Sequence, residues 1–211
     1  MLIAIDPSQN SLGLAILHDT GKPFLITHIK RMVSNPQEDW HERAIQMAKA
    51  VVTTIAGNLV GYPPKFADLL IETPNNWASE RGQESKDSEA VQKLYFTTGA
   101  IVSEMRNLAI TRYIWGVTPM SWKGQAPKSV MMRRAEAYGK KYSIDLSRCP
   151  DDVSEAVLLG KWGLNRQHQE PRHRDQMKFI TSGIHEYRSE HIKIVTAQSN
   201  FAITTYHSED V

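Results

Sequence analysis

Four carboxylates carry the chemistry that can be read from this 211-residue chain: Asp6, Glu72, Asp152 and Glu155. Asp6 closes the apolar run LIAID, and Glu72 closes the run DLLIE. Asp152 and Glu155 stand three apart, which puts both on one side of a helix. In a mixed sheet, ligands bind at strand ends. Acids gathered there are costly unless cations neutralise them. An all-oxygen set favours Mg²⁺ or Mn²⁺ over zinc. Local alternatives remain. A strand-end Asp forms turns, and Glu72 before Thr-Pro could cap a loop. Asp152 with Glu155 fits a capping box, and Asp151 competes with Asp152 for the same role.

The elements that must position these acids follow from periodicity. Residues 2–6 predict a strand, 7–13 a turn and 14–17 a returning strand, with a third near 24–30. Ala44, Ile45, Met47, Ala48, Val51, Val52 and Ile55 recur at helical spacing over 39–57, stopped by Gly57. A buried strand is expected at 67–71 and a loop at 74–86. A helix over 88–108 and a strand over 111–117 follow. Residues 119–126 then form a loop, 128–142 a basic amphipathic helix, and 150–162 a last helix. Leading antiparallel strands followed by alternating helices and strands predict an α/β fold. Its mixed sheet, antiparallel then parallel, has helices on both faces.

Composition narrows the classes. At 41% hydrophobic the chain can bury a core. No apolar run spans a bilayer, so no membrane association is expected. MLIAIDPSQ has no basic leader, so no secretory signal is expected. The single cysteine, Cys149, excludes an internal disulfide and a cysteine zinc site, and points to a reducing cytoplasm. The net charge is only +2, but residues 123–148 hold seven Lys/Arg against two acids, a stretch able to face phosphates. The bland alternative is a solvated helix face.

Taken together, the motifs resemble RuvC-type Holliday junction resolvases of the RNase H-like superfamily. AIDPSQNSLGLAIL is similar to their first strand-turn-strand, with Asp6 as metal ligand and Gly13 permitting a tight return. DLLIETP resembles the strand bearing their second acid, and CPDDVSEAVLLGKWGL their last catalytic helix. VTPMSWKGQAPKSVMMRRAEAY is similar to the segment carrying two functional lysines, whose places Lys123 and Lys128 take. The likeness covers about residues 1–164, in order, and leaves 165–211 as a C-terminal extension of uncertain role. Departures are Ser8 where Gly is usual and Glu155 where Asp is usual. Asn75 replaces an aromatic wedge, with Trp77 nearby able to stack.

The resemblance implies a crossover junction endodeoxyribonuclease that hydrolyses branched DNA with two Mg²⁺ or Mn²⁺ ions per site, about 4 Å apart. Asp6 would bridge the ions, Glu72 would hold one, and Asp152 with Glu155 the other. Lys123 or Lys128 would offset charge on the phosphate. Arg133, Arg134, Lys140 and Lys141 would position DNA through its phosphates without reading sequence. Junction symmetry implies a homodimer, with helix 88–108 as a candidate dimer surface or simply core. The setting would be cytoplasmic, or a host's cytoplasm if the chain is phage-encoded, and the context DNA recombination and repair. Two alternatives stay open: a binder of branched DNA that does not cut, and another RNase H-like nuclease acting on RNA–DNA hybrids, ribosomal RNA precursors or packaged DNA. In the extension, Arg166, His168, Arg172, His173 and Arg174 form a basic patch. HIKIVTAQSNFAITTY reads as strand.

Overall fold

The computed structural model describes residues 1–32, 38–74, 88–167, 178–182 and 201–206. Seven strands form one sheet: β1 (Leu2–Asp6), β2 (Ser11–Leu17), β3 (Pro23–Arg31), β4 (Ala67–Glu72), β5 (Thr111–Val117), β6 (Lys178–Ser182) and β7 (Phe201–Tyr206). Their spatial order is β6-β5-β4-β1-β2-β3-β7. β1, β2 and β3 form an antiparallel meander, and β4 joins β1 in parallel, as β5 joins β4. The expected α/β architecture, antiparallel strands first and parallel strands after, is what the chain adopts.

Central strands are apolar on both faces because both are covered. Ile3, Ile5, Leu14 and Ile16 face the core shared with α1 (Trp40–Asn58) and α2 (Ser88–Arg106). Leu2, Ala4, Ala15 and Leu17 face the opposite core, shared with α4 (Lys128–Lys141) and α5 (Asp151–Gln167). In α1, Ala44, Met47, Ala48, Val51 and Ile55 form the buried stripe. Asp39 caps that helix by accepting from the His41 backbone N–H at 2.9 Å. In α2, Ile101 and Met105 are core, while Tyr95 and Phe96 are exposed. One turn of helix, α3 (Pro119–Trp122), interrupts the stretch expected to be loop.

The meander is tighter than the sequence predicts. β2 starts at Ser11, so Gly13 lies inside a strand opposite Asp6 rather than in the turn. Its lack of a side chain serves a close approach instead. A Cβ on Gly13 would sit 1.9 Å from the Asp152 carbonyl oxygen, so the first turn of α5 rests directly on β2. Further along α5, Gly160 and Gly163 let the helix stay low, over Leu17 and over Leu2 and Leu70.

The extension feeds the same sheet. α5 runs through Gln167, β6 pairs antiparallel with β5, and β7 pairs antiparallel with β3 along residues 26–31. Of the segment 191–206 expected as strand, residues 201–206 add to this chain's own edge as β7, and residues 191–200 lie outside the described residues.

Candidate metal centre

Sheet register builds the centre. His28 on β3 pairs with Gly13 on β2, and Gly13 pairs with Asp6 on β1. Ile5 pairs with Ile71, which sets Glu72 of β4 next in line, and Glu72 pairs with Val117 of β5. Residues paired across a sheet share a face. His28, Asp6 and Glu72 thus form one row on the face covered by α5. The glycine in that row admits α5, whose first turns bring Asp152 and Glu155 over the strand ends.

One carboxylate oxygen from each of Asp6, Glu72 and Glu155 lies within 4.8 Å of the others. Glu72 and Glu155 are buried, and Asp6 keeps a partial opening. Burial pushes the Asp6 carboxyl well above its ordinary range. Glu72 and Glu155 add to the rise, Lys123 opposes it, and Asp152 contributes a smaller push upward. Burial also raises Glu72, against the pull of Lys123 and a hydrogen bond from Trp122. Such a site suits a cation, because Asp6 and Glu72 ionise less readily here than in water.

The resident cation in this structure is Lys123. Its ammonium pairs with Glu155 and stands 3.4 Å from Glu72 Oε2. Burial alone would lower its pKa, but Glu155, Glu72 and Asp6 together hold it above the ordinary lysine value. The local chain explains how it arrives. α3 follows β5 directly, and Gly124 takes φ +58°, the left-handed region that lets the chain turn away after Lys123. The preceding Trp122 packs against Met131, Ala135 and Leu158, and its indole N–H donates to Glu72 Oε2 at 2.6 Å.

Asp152 and Lys128 are placed differently from the other candidates. α5 begins at Asp151, so Asp152 lies inside the first turn rather than at its cap. The Asp152 carboxylate accepts from Ser11 Oγ, outside the three-acid group. His28 Nε2 is 2.9 Å from the same hydroxyl and 3.9 Å from Asp152 Oδ2. Burial lowers the His28 pKa, Lys30 acts in the same direction, and Asp152 opposes them. Asp151 turns away to Lys128, whose exposed Nζ lies 2.8 Å from Asp151 Oδ2. Lys128 therefore pairs outside the three acids: Asp151, on the first turn of α5, holds it at the surface, and Glu155 acts on it only electrostatically. Arg133, Arg134, Lys140 and Lys141 are all exposed along α4. Trp77 falls outside the described residues, as do His168, Arg172, His173 and Arg174.

Sequence reasoning missed Ser11, His28 and Trp122. The strand pairing that sets His28 beside the acids is tertiary information. For Trp122 a local signal exists, since it directly precedes a candidate lysine.

No protein family and no curated protein matches the sequence. Among solved structures, T. thermophilus RuvC in complex with a Holliday junction substrate aligns with a TM-score of 0.56. The fold is RuvC-like. That alignment covers 85% of this chain and 98% of that one, at 15% identity, so the likeness to RuvC is one of fold. Among the described residues, no helix is long and apolar enough to cross a membrane.

Proposed function

We propose that this chain is a divalent-cation-dependent endonuclease that cuts branched DNA, four-way junctions foremost. The observation that carries the reading is the meeting of Asp6, Glu72 and Glu155, from three separate elements, within 4.8 Å. The donor set is all oxygen and acidic, with Glu72 and Glu155 buried and Asp6 partly open, which suits Mg²⁺ or Mn²⁺. The RuvC-like fold supports the choice of substrate, since that neighbour was solved with a Holliday junction.

Asp6, Glu72 and Glu155 would hold the cation, with Asp152 beside them. Bound there, a divalent ion supplies Lewis-acid stabilisation of phosphate charge and a lower pKa for water. The protein's own groups do the rest. Glu72 is oriented by the Trp122 indole, which leaves its carboxylate little freedom to rotate. Lys123 pairs with Glu155 and Glu72, and with a cation held by those acids its ammonium would be available to offset charge on the phosphate oxygens. Arg133, Arg134, Lys140 and Lys141 on α4 grip flanking phosphates and set register rather than sequence. A homodimer would present two such sites to a junction of matching two-fold symmetry.

The test is incubation of the full chain with a labelled four-way junction, a flap, a duplex and an RNA–DNA hybrid, with and without Mg²⁺ or Mn²⁺. Paired nicks in the junction that require the metal are expected. Asp6→Asn should abolish cutting, by at least about 10³-fold, while junction binding in a gel shift stays within about threefold. A shifted but uncut junction would identify a binder instead, and preferential cutting of the hybrid a different nuclease.

A further inference from the structure

Asp152 is held by a chain of groups that the three-acid centre does not need for its own assembly. Ser11 Oγ donates to Asp152 Oδ2, and His28 Nε2 lies 2.9 Å from the same Oγ. A hydroxyl has one proton to give. With that proton committed to the carboxylate, Ser11 must accept from His28, which places the imidazole proton on Nε2. The resulting order is imidazole to hydroxyl to carboxylate, all pointing one way.

The three groups come from three elements, and their meeting is set by the sheet. Ser11 lies two residues before Gly13, on the same face of β2, and His28 pairs with Gly13 from β3. They flank the place where the Asp152 backbone touches β2. The His28 side chain is almost fully enclosed, at 11% exposure, so the imidazole has little freedom to swing away. Ser11 engages Oδ2 of a side chain that is still 27% exposed, and neither Ser11 nor His28 engages Oδ1. Asp152 is close enough to act electrostatically on Asp6, yet it stands outside the group formed by Asp6, Glu72 and Glu155.

We propose that Ser11 and His28 are positioning residues that aim Asp152 at a second cation, beside the one held by Asp6, Glu72 and Glu155. The inference rests on the metal-dependent reading above. Hydrogen bonds behind a ligand fix its direction, and their loss typically costs about 10-fold to 100-fold in metal affinity.

The experiment is Mn²⁺ binding to the full chain without DNA, followed by calorimetry and by the electron spin resonance of free Mn²⁺. Wild type should bind two ions. Ser11→Ala should keep one and bind the other about 10-fold to 100-fold more weakly. Ser11→Thr, which retains the hydroxyl, should restore the second site. His28→Gln, with an amide donor at similar reach, should retain most of it, and His28→Ala should not. In junction cleavage, Ser11→Ala should need correspondingly more Mn²⁺ but recover its turnover at saturation, while circular dichroism shows the metal-free variant as fully folded as wild type, which a folding defect relieved by metal would not. Unchanged binding of both ions in Ser11→Ala, equal losses in Ser11→Ala and Ser11→Thr, or a single ion in wild type would overturn the positioning role. Wild type that binds no Mn²⁺, or Asp6→Asn that binds as wild type does, would instead overturn the metal-dependent reading itself.

Discussion

Asp6 sits where charge is least welcome, and this has a measurable consequence for stability. Its folded pKa is raised above the ordinary carboxylate value, by burial first and by its acidic neighbours second. The folded state therefore binds a proton that the unfolded state has already released. In that window stability falls as pH rises. Below the ordinary value of 3.8, both states are protonated and the difference vanishes. Asp6→Asn should thus raise the thermal midpoint of the metal-free protein at neutral pH, with a gain that shrinks toward zero as pH falls to that value. Calorimetric scans at several pH values read this directly, and a gain independent of pH would contradict it. Mg²⁺ should raise the midpoint of wild type and leave the variant unmoved. The two lysines should separate as well. Lys123 stands among the acids with its side chain 18% exposed, and Lys128 is 75% exposed on a surface pair. Lys123→Ala should slow junction cleavage by about 10²-fold to 10³-fold. Lys128→Ala should stay within about fivefold, the scale of an exposed ion pair. Single-turnover rates at saturating enzyme decide between them.

Among the elements, β2 and α5 determine whether the centre exists. Gly13 has no room for a methyl group: the Asp152 carbonyl occupies that volume, and both partners are backbone. Gly13→Ala must lift the first turn of α5 off the sheet, withdrawing Asp152 and Glu155 from Asp6. Overpacking of this kind costs about 1–3 kcal/mol. The variant should unfold at lower denaturant and bind Mn²⁺ weakly even where it is fully folded. Wild-type Mn²⁺ affinity in folded Gly13→Ala would show that the helix can shift without disturbing the acids. The same pair of elements marks what the sequence discloses. Asp6 and Glu72 were legible because each ends an apolar run. The i, i+3 spacing of Asp152 and Glu155 announced a shared helix face. Where each acid of that face would turn was not legible. Asp152 goes to Ser11 because strand register sets a hydroxyl there, and register is a pairing between distant segments. The sequence marks Gly13 as necessary, but for a turn. Its true constraint is a helix 139 positions away in the chain, counting from Gly13 to Asp152. Lys128 looked equivalent to Lys123 in sequence, and only the packing of α4 against α5 shows that Asp151 intercepts it.

For the molecule as a whole, charge distribution matters more than its total. The net charge is only +2, yet Arg133, Arg134, Lys140 and Lys141 lie on the exposed side of α4, a helix packed against the α5 that carries Glu155. Under the proposed function an acidic site needs such a neighbour, since DNA would otherwise be repelled from it. Reversing Arg133 and Arg134 to Glu should weaken junction binding and flatten its dependence on salt, because fewer counterions are released on binding. Titrations at several salt concentrations measure that slope, and a slope equal to that of wild type would place the DNA elsewhere. The seven-stranded sheet of the described residues is only partly legible in the sequence. The first five strands follow from apolar runs, but β6 had no sequence signal of its own. The position of β7 beside β3 is again a matter of pairing between segments far apart.

The order in which the parts of the centre occur along the chain has one more consequence. Asp6 belongs to the first strand, whereas Glu155 belongs to the last described helix, and neither Glu72 nor Lys123 can stand in for it. A polypeptide still emerging from the ribosome therefore carries only scattered carboxylates until α5 has been made. On the proposed reading, products terminated before α5 would be inert toward DNA, and synthesis itself acts as the safety catch.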